Sequence, residues 1–140
     1  MFYPIRGLLA LLGRLLIVAI FLMSAVANKI MHFHETLALM RSHNVPYPEF
    51  LLPGAIIVLI VGGLSVLFGY KARFGAFLLL IFLVLATYYF HNFWDMTKQE
   101  EQQQQMAHFL KNVSMMGTML FIMAMGAGPF SCDARWTETT

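Results

Sequence analysis

Four apolar runs, at about residues 7–28, 50–70, 74–95 and 106–126, leave this chain few ways to fold. Each is long enough to cross a bilayer, whose hydrocarbon core of roughly 30 Å takes about 20 residues of helix. Backbone polar groups in hydrocarbon must be satisfied within their own segment, so such spans are helices. Of 140 residues, 59% are hydrophobic and only 11% are charged, against about 25% charged in ordinary soluble domains. A water-soluble fold of this size has too little interior to hide so much apolar surface. The expected class is all-α: a polytopic membrane protein, an antiparallel four-transmembrane-helix bundle forming a single membrane domain over 1–140.

The formal charge of +2 and the lack of any basic stripe argue against a nucleic-acid partner. Cys132 is the one cysteine, so no internal disulfide or Cys-x-x-Cys redox pair exists within these residues. No cofactor is expected as an intrinsic part of the chain. Redox chemistry would have to use a bound molecule or a partner's thiols.

Ala25-Val26-Ala27 has the small-residue pattern of a signal-peptidase site. Arg14, however, splits the apolar stretch into unequal parts, and the segment is read as a retained first span. At about 100° per residue, Arg14, Ser24 and Asn28 share an arc of roughly 80°. One side of this helix is therefore expected to turn inward. Arg14 sits about 10 Å along the axis from Gly7, within snorkelling reach of the near interface. An ionisable residue at membrane depth is costly, so a binding role is held open for it.

Residues 29–49 form the expected outer loop, with His32, His34, His43, Glu35 and Glu49. His-x-His suggests a metal, but histidines two apart diverge on a helix and no third close ligand follows. No metal site is expected. Part of His34–Ser42 has the character of a short interfacial helix, while Pro46 and Pro48 break regular structure. The second span carries Gly62-Gly63, Ser65 and Gly69, small residues suited to close helix packing. The short turn Gly69–Arg73 forces an antiparallel hairpin. Residues 96–105 read as a Gln-rich loop that is able to prolong the fourth helix into water. The methionines of that helix read as adaptable packing, and 127–140 as a polar tail.

Positive charges in short loops set orientation. Arg6, Lys71, Arg73 and Arg135 fall on one side, and Lys29, Arg41 and Lys98 on the other, where acids dilute them. Both termini are expected in the cytoplasm.

With that topology, three helix tips pool their polar groups at the outer face. They supply Asn28 and Lys29 from the first helix, His91, Asn92 and Asp95 from the third, and His108, Lys111 and Asn112 from the fourth. His91 and Asp95 are four apart and so adjacent on a helix, allowing the carboxylate to orient or charge the imidazole. The competing reading is structural: an aromatic belt around Trp94, an edge ion pair and asparagines bridging helices.

The order of motifs resembles that of the DoxX family of small four-helix membrane proteins. The matching residues are Gly13-Arg14-Leu15-Leu16, Lys29, Gly62-Gly63-Leu64, Phe90-His91-Asn92-Phe93-Trp94, His108-Phe109-Leu110-Lys111-Asn112 and Gly128-Pro129-Phe130-Ser131. Where many relatives carry an acid before the paired glycines, this chain has Val58-Leu59-Ile60. The resemblance implies a bacterial inner-membrane protein, in some branches tied to quinone-linked oxidation and in others to assembly without catalysis.

Two functions are therefore expected to compete. In the first, the protein is the membrane subunit of an oxidoreductase system and binds a quinone or similar amphipathic ligand at the outer interface. His91, Asp95 and Lys111 would then carry proton transfer and anion stabilisation, with Phe93 and Trp94 flanking the ring and Asn28, Lys29, Asn92, His108, Asn112 and Arg14 completing the ligand-binding set. In the second, it is a non-enzymatic scaffold or assembly factor for a partner protein. The bilayer is a partner in both.

Overall fold

The computed structural model of the protein describes residues 3–138, and these residues contain helices and turns but no strand. Helix α1 spans Tyr3–Met23 and runs without a break into a π-helical stretch, Ser24–Ile30. A short helix α2, Phe33–Ser42, follows. Then come α3 (Pro48–Phe68), α4 (Ala72–Phe90) and α5 (Gln99–Met125), and a short α6 (Cys132–Glu138). Three segments are long and apolar enough to cross a membrane: Tyr3–Ile30, Pro48–Phe68 and Ala72–Asp95. Helix α5 has the length, 27 residues, but Lys111, Asn112 and a glutamine-rich first half lower its apolarity.

The turn between α3 and α4 shows how local sequence sets the packing. Gly69 sits at φ 63°, a left-handed conformation that costs glycine no Cβ clash. Its N–H donates to Val66 O at 3.2 Å, and Tyr70 N–H donates to Ser65 O at 3.0 Å, which together close a Schellman motif. The chain reverses within three residues, so α3 and α4 lie side by side. A Cβ placed on Gly62 would stand 3.0 Å from Gly75 O, and one on Gly75 only 2.5 Å from Ser65 Oγ. The two backbones meet through glycine, as close membrane-helix packing requires.

Helix α1 packs on α3, and α5 packs mainly on α4. The main core draws on Val18 and Phe21 of α1, Leu59 and Val66 of α3, Ala76, Leu79 and Leu83 of α4, and Met115, Met119 and Ile122 of α5. Their three- and four-residue spacing marks one inward stripe per helix. A smaller cluster of Met40, Val45 and Leu52 seats α2 against the start of α3 and the end of α4, through Tyr89 and Phe90. The aliphatic residues outside these stripes, Leu8, Leu16, Ile57, Val84 and Leu120 among them, face outward. An outward apolar surface on helices of this length is what lipid covers.

The bundle has two distinct ends. At the terminal end, Tyr3, the Gly69 turn and the segment after Gly126 come together. At the loop end lie α2, the close of α4 and the opening of α5.

Several boundaries differ from those read in the sequence. The third span, expected at 74–95, ends as α-helix at Phe90, and only a 3-10 turn, Phe93–Asp95, follows. The expected Gln-rich loop 96–105 is helical from Gln99, with Glu100 and Glu101 in the first turn, where the helix dipole favours acids. The tail beyond 127 contains α6.

Candidate functional site

The end of α4 decides the geometry of the loop end. His91 has φ −124° and ψ 37°, outside the helical range, so the chain leaves α4 there. Asn92 Nδ2 then donates to Asp95 Oδ2 at 3.0 Å and Asp95 N–H donates to Asn92 O at 3.2 Å. These bonds seal the turn. The expected pairing of Asp95 with His91 presupposed an unbroken helix to 95, and the turn gives Asp95 to Asn92 instead.

The His91 ring turns towards α5. Its Nδ1 lies 2.8 Å from Gln105 Oε1, and it stacks on His108 with ring centroids 5.2 Å apart. Phe93, Trp94 and Phe109 form an edge-to-face cluster with centroids 5.3–6.1 Å apart, which binds the turn to the first half of α5. His91, Phe93, Trp94 and His108 are thus brought together as one seam between two elements.

Of the other expected site residues, Lys29 and Asn112 are held by internal bonds, while Asn28 and Lys111 are exposed. Lys29 Nζ donates to Ser24 Oγ at 2.7 Å and lies 5.3 Å from the centre of the Phe82 ring. The π-helical stretch makes the first contact possible: its i→i+5 register, as in Met31 N to Val26 O at 3.2 Å, puts residues five apart on one side. Asn28 is exposed, and its carbonyl accepts from Thr36 Oγ1 at 3.3 Å, tethering α2. Asn112 is 5% exposed and donates to Thr87 Oγ1, also 5% exposed, at 2.9 Å. Lys111 is exposed.

Arg14 lies at the terminal end and belongs to a separate constellation. It is 4% exposed; Nη2 donates to Phe130 O at 2.6 Å and Nε to Ala10 O at 3.3 Å. Beside it, the Asp133 carboxylate accepts from Lys71 N–H at 2.8 Å and Ala72 N–H at 3.0 Å, capping α4 from a distant part of the chain.

A cleft of about 360 Å³ opens at the loop end between α2 and the close of α4. Its walls are His43, Asn44, Tyr88, Tyr89, Asn92, Trp94 and Asp95. His43 also leans on the Phe90 ring at 5.0 Å. The size lies in the range of small-molecule sites, and the lining joins aromatic faces to a few polar groups. His43, Asn44, Tyr88 and Tyr89 escape a reading of the sequence because loop histidines and belt tyrosines are ordinary features of membrane proteins. Only the docking of α2 makes them one surface. Among the described residues no three His, Cys, Asp or Glu side chains converge on a metal-sized point.

The fold defines a helical membrane protein with one polar cleft at its loop end and a buried arginine at the other. The DoxX family model matches residues 9–92, and the chain belongs to that family. The model of the SURF4 family matches residues 51–138. The chain is 29% identical over 130 residues to Inner membrane protein YphA of Escherichia coli (strain K12), covering 93% of this chain and 91% of the relative. It is 31% identical over 124 residues to Inner membrane protein YqjF of the same organism, covering 88% of each. No solved structure matches significantly.

Proposed function

We propose that this is an inner-membrane subunit of a quinone-linked oxidoreductase system, binding a quinone or similar ring headgroup in the loop-end cleft. The placement follows its similarity to two proteins named as inner-membrane proteins. In this reading α5 is a fourth crossing that completes an antiparallel bundle, with both termini in the cytoplasm.

The carrying observation is the cleft of about 360 Å³, with Tyr88, Tyr89 and Trp94 beside His43, Asn92 and Asp95. Aromatic faces take a flat ring by offset or edge contact. Asn92 and the tyrosine hydroxyls offer donors to ring carbonyls, and the His43 imidazole is able both to give and to take a proton. The stacked His91–His108 pair behind the turn, with Gln105, would exchange protons with water. Lys111 would offer an exposed positive group on α5, three residues from His108. A quinone in the cleft would supply two-electron, two-proton chemistry, with electrons passing to or from a partner subunit.

Lipid extracts of the purified protein test this directly. We expect wild type to retain close to one quinone per chain, and Asn92→Ala and Tyr89→Ala to lose most of it while remaining folded. Quinone at the level of a control membrane protein in all three would contradict the reading.

A second reading, a non-enzymatic scaffold for a partner protein, has its own support. Lys29, Asn112 and Arg14 are engaged in internal bonds, and Gly117 of α5 has nothing within 4 Å of a Cβ built on it, so that face is open to a partner helix. Stoichiometric capture of one partner, with Asn92 and His43 dispensable, would favour it.

A further inference from the structure

The inner stripe of α5 changes character halfway along. Met115, Met119 and Ile122 belong to the apolar core, but the same three- and four-residue steps carried towards the loop end give Asn112, His108 and Gln105. The buried bond between Asn112 and Thr87 closes the inner part of this seam. Beyond it, α5 is held by Gln105 and His108 against His91, and by Phe109 against Phe93 and Trp94.

The two imidazoles stack with centroids 5.2 Å apart and planes inclined by 27°. Gln105 Oε1 can only accept, so neutral His91 carries its proton on Nδ1 and a second proton would add at Nε2. His91 is half-buried and His108 exposed, so water reaches the pair. The charges around it offer no compensation. Lys111 stands one turn along α5 from His108 and is positive. Glu101, one turn before Gln105, pairs with Lys98 at 3.2 Å, and Asp95 on the turn accepts from Asn92. On the α2 side, His43 rests on the Phe90 ring and can add only positive charge. Among the described residues, no carboxylate lies within ion-pair distance of His91 or His108. Histidine side chains gain a charge as pH falls through about 6.5, and two like charges at this separation repel. A form with the rings apart takes up protons more readily, so the closed seam loses stability as pH falls.

We propose that His91 and His108 form an acid-sensitive latch: with both rings charged, the loop half of α5 swings off the close of α4 about the Asn112–Thr87 bond. Phe109 seats Trp94 at 6.1 Å, and Trp94 lines the loop-end cleft, so opening the latch dismantles one cleft wall. Acid empties the cleft and neutral pH re-forms it. That consequence rests on the ligand reading above; the latch itself does not.

Pulsed dipolar EPR on the full chain in neutral detergent tests this, with spin labels on the exposed positions Gln103→Cys and Phe50→Cys in a Cys132→Ser background. From pH 8 to pH 5 the longer-distance population should rise at least fivefold and reverse on neutralisation. His91→Gln and His108→Gln should each hold the distances fixed, since either leaves a single ring to be charged; if one fails to fold, the other decides. His43→Gln should leave the transition in place, which separates the stacked pair from the cleft histidine. Distances unchanged between pH 8 and pH 5, or a transition that survives the His→Gln change in the pair, would overturn the latch. A short-chain quinone should bind at least threefold more weakly at pH 5 than at pH 8, and equal binding beside a clear opening would overturn the gating of the cleft. Opening with no quinone bound at either pH would sustain the latch and contradict the ligand reading.

Discussion

Asn112 and Thr87 are both almost wholly buried, and the bond of 2.9 Å between their side chains ties α5 to α4. Hydrogen bonds between membrane helices contribute about 0.6 kcal/mol on average and up to about 1.7. We expect Asn112→Leu and Thr87→Val each to lower the midpoint of SDS unfolding by an amount in that range. The double variant should cost little more than either single one, since both remove the same bond. Full additivity would mean that the two side chains act independently. Asp133→Ala should cost about 0.5–2 kcal/mol by uncapping α4, seen as a lower thermal midpoint in detergent. An unchanged midpoint would show that the Lys71 and Ala72 amides find other partners.

Single residues also show where a reading of the sequence stops. Arg14 and Asn112 stand out because polar groups are rare in apolar helices, yet their partners, the Phe130 carbonyl and Thr87, lie 116 and 25 residues away. No spacing rule reaches that far. Lys29 meets Ser24 only because the helix widens to a π-register, which packing selects and composition does not announce.

At the scale of elements, glycine positions separate tight from open faces. Gly75→Ala would press a Cβ to 2.5 Å from Ser65 Oγ and 2.9 Å from Gly62 O. Overpacking of this kind costs roughly 1–3 kcal/mol. Gly117→Ala meets nothing within 4 Å and should be neutral or slightly stabilising through helix propensity. Parallel melts of the two variants check this, and equal losses would contradict the packing described. The apolar runs made the long helices legible, because a bilayer leaves a chain no cheaper structure. The close of α4 was not legible. His91 to Asp95 suits a helix by spacing, but the Asn92–Asp95 bonds offer the backbone a turn instead, as asparagine and aspartate often do. Hence His91 faces Gln105 and His108, and His43 takes the place in the cleft.

For the whole molecule, the architecture turns on whether α5 crosses the membrane. In a Cys132→Ser background, a membrane-impermeant maleimide should label Gln103→Cys in intact cells and reach Arg6→Cys only after lysis. A reporter fused after Thr140 should share the side of Arg6. A reporter on the opposite side would leave three crossings and lay α5 elsewhere.

The loop-end cleft carries its own optical probe, since Trp94 lines it and Trp136 is the only other tryptophan in the sequence. With Trp136→Phe, a short-chain quinone should quench Trp94 fluorescence saturably, and Asn92→Ala should weaken the midpoint at least tenfold. Linear quenching, no stronger than that of free tryptophan and unchanged by Asn92→Ala, would contradict quinone binding in this cleft.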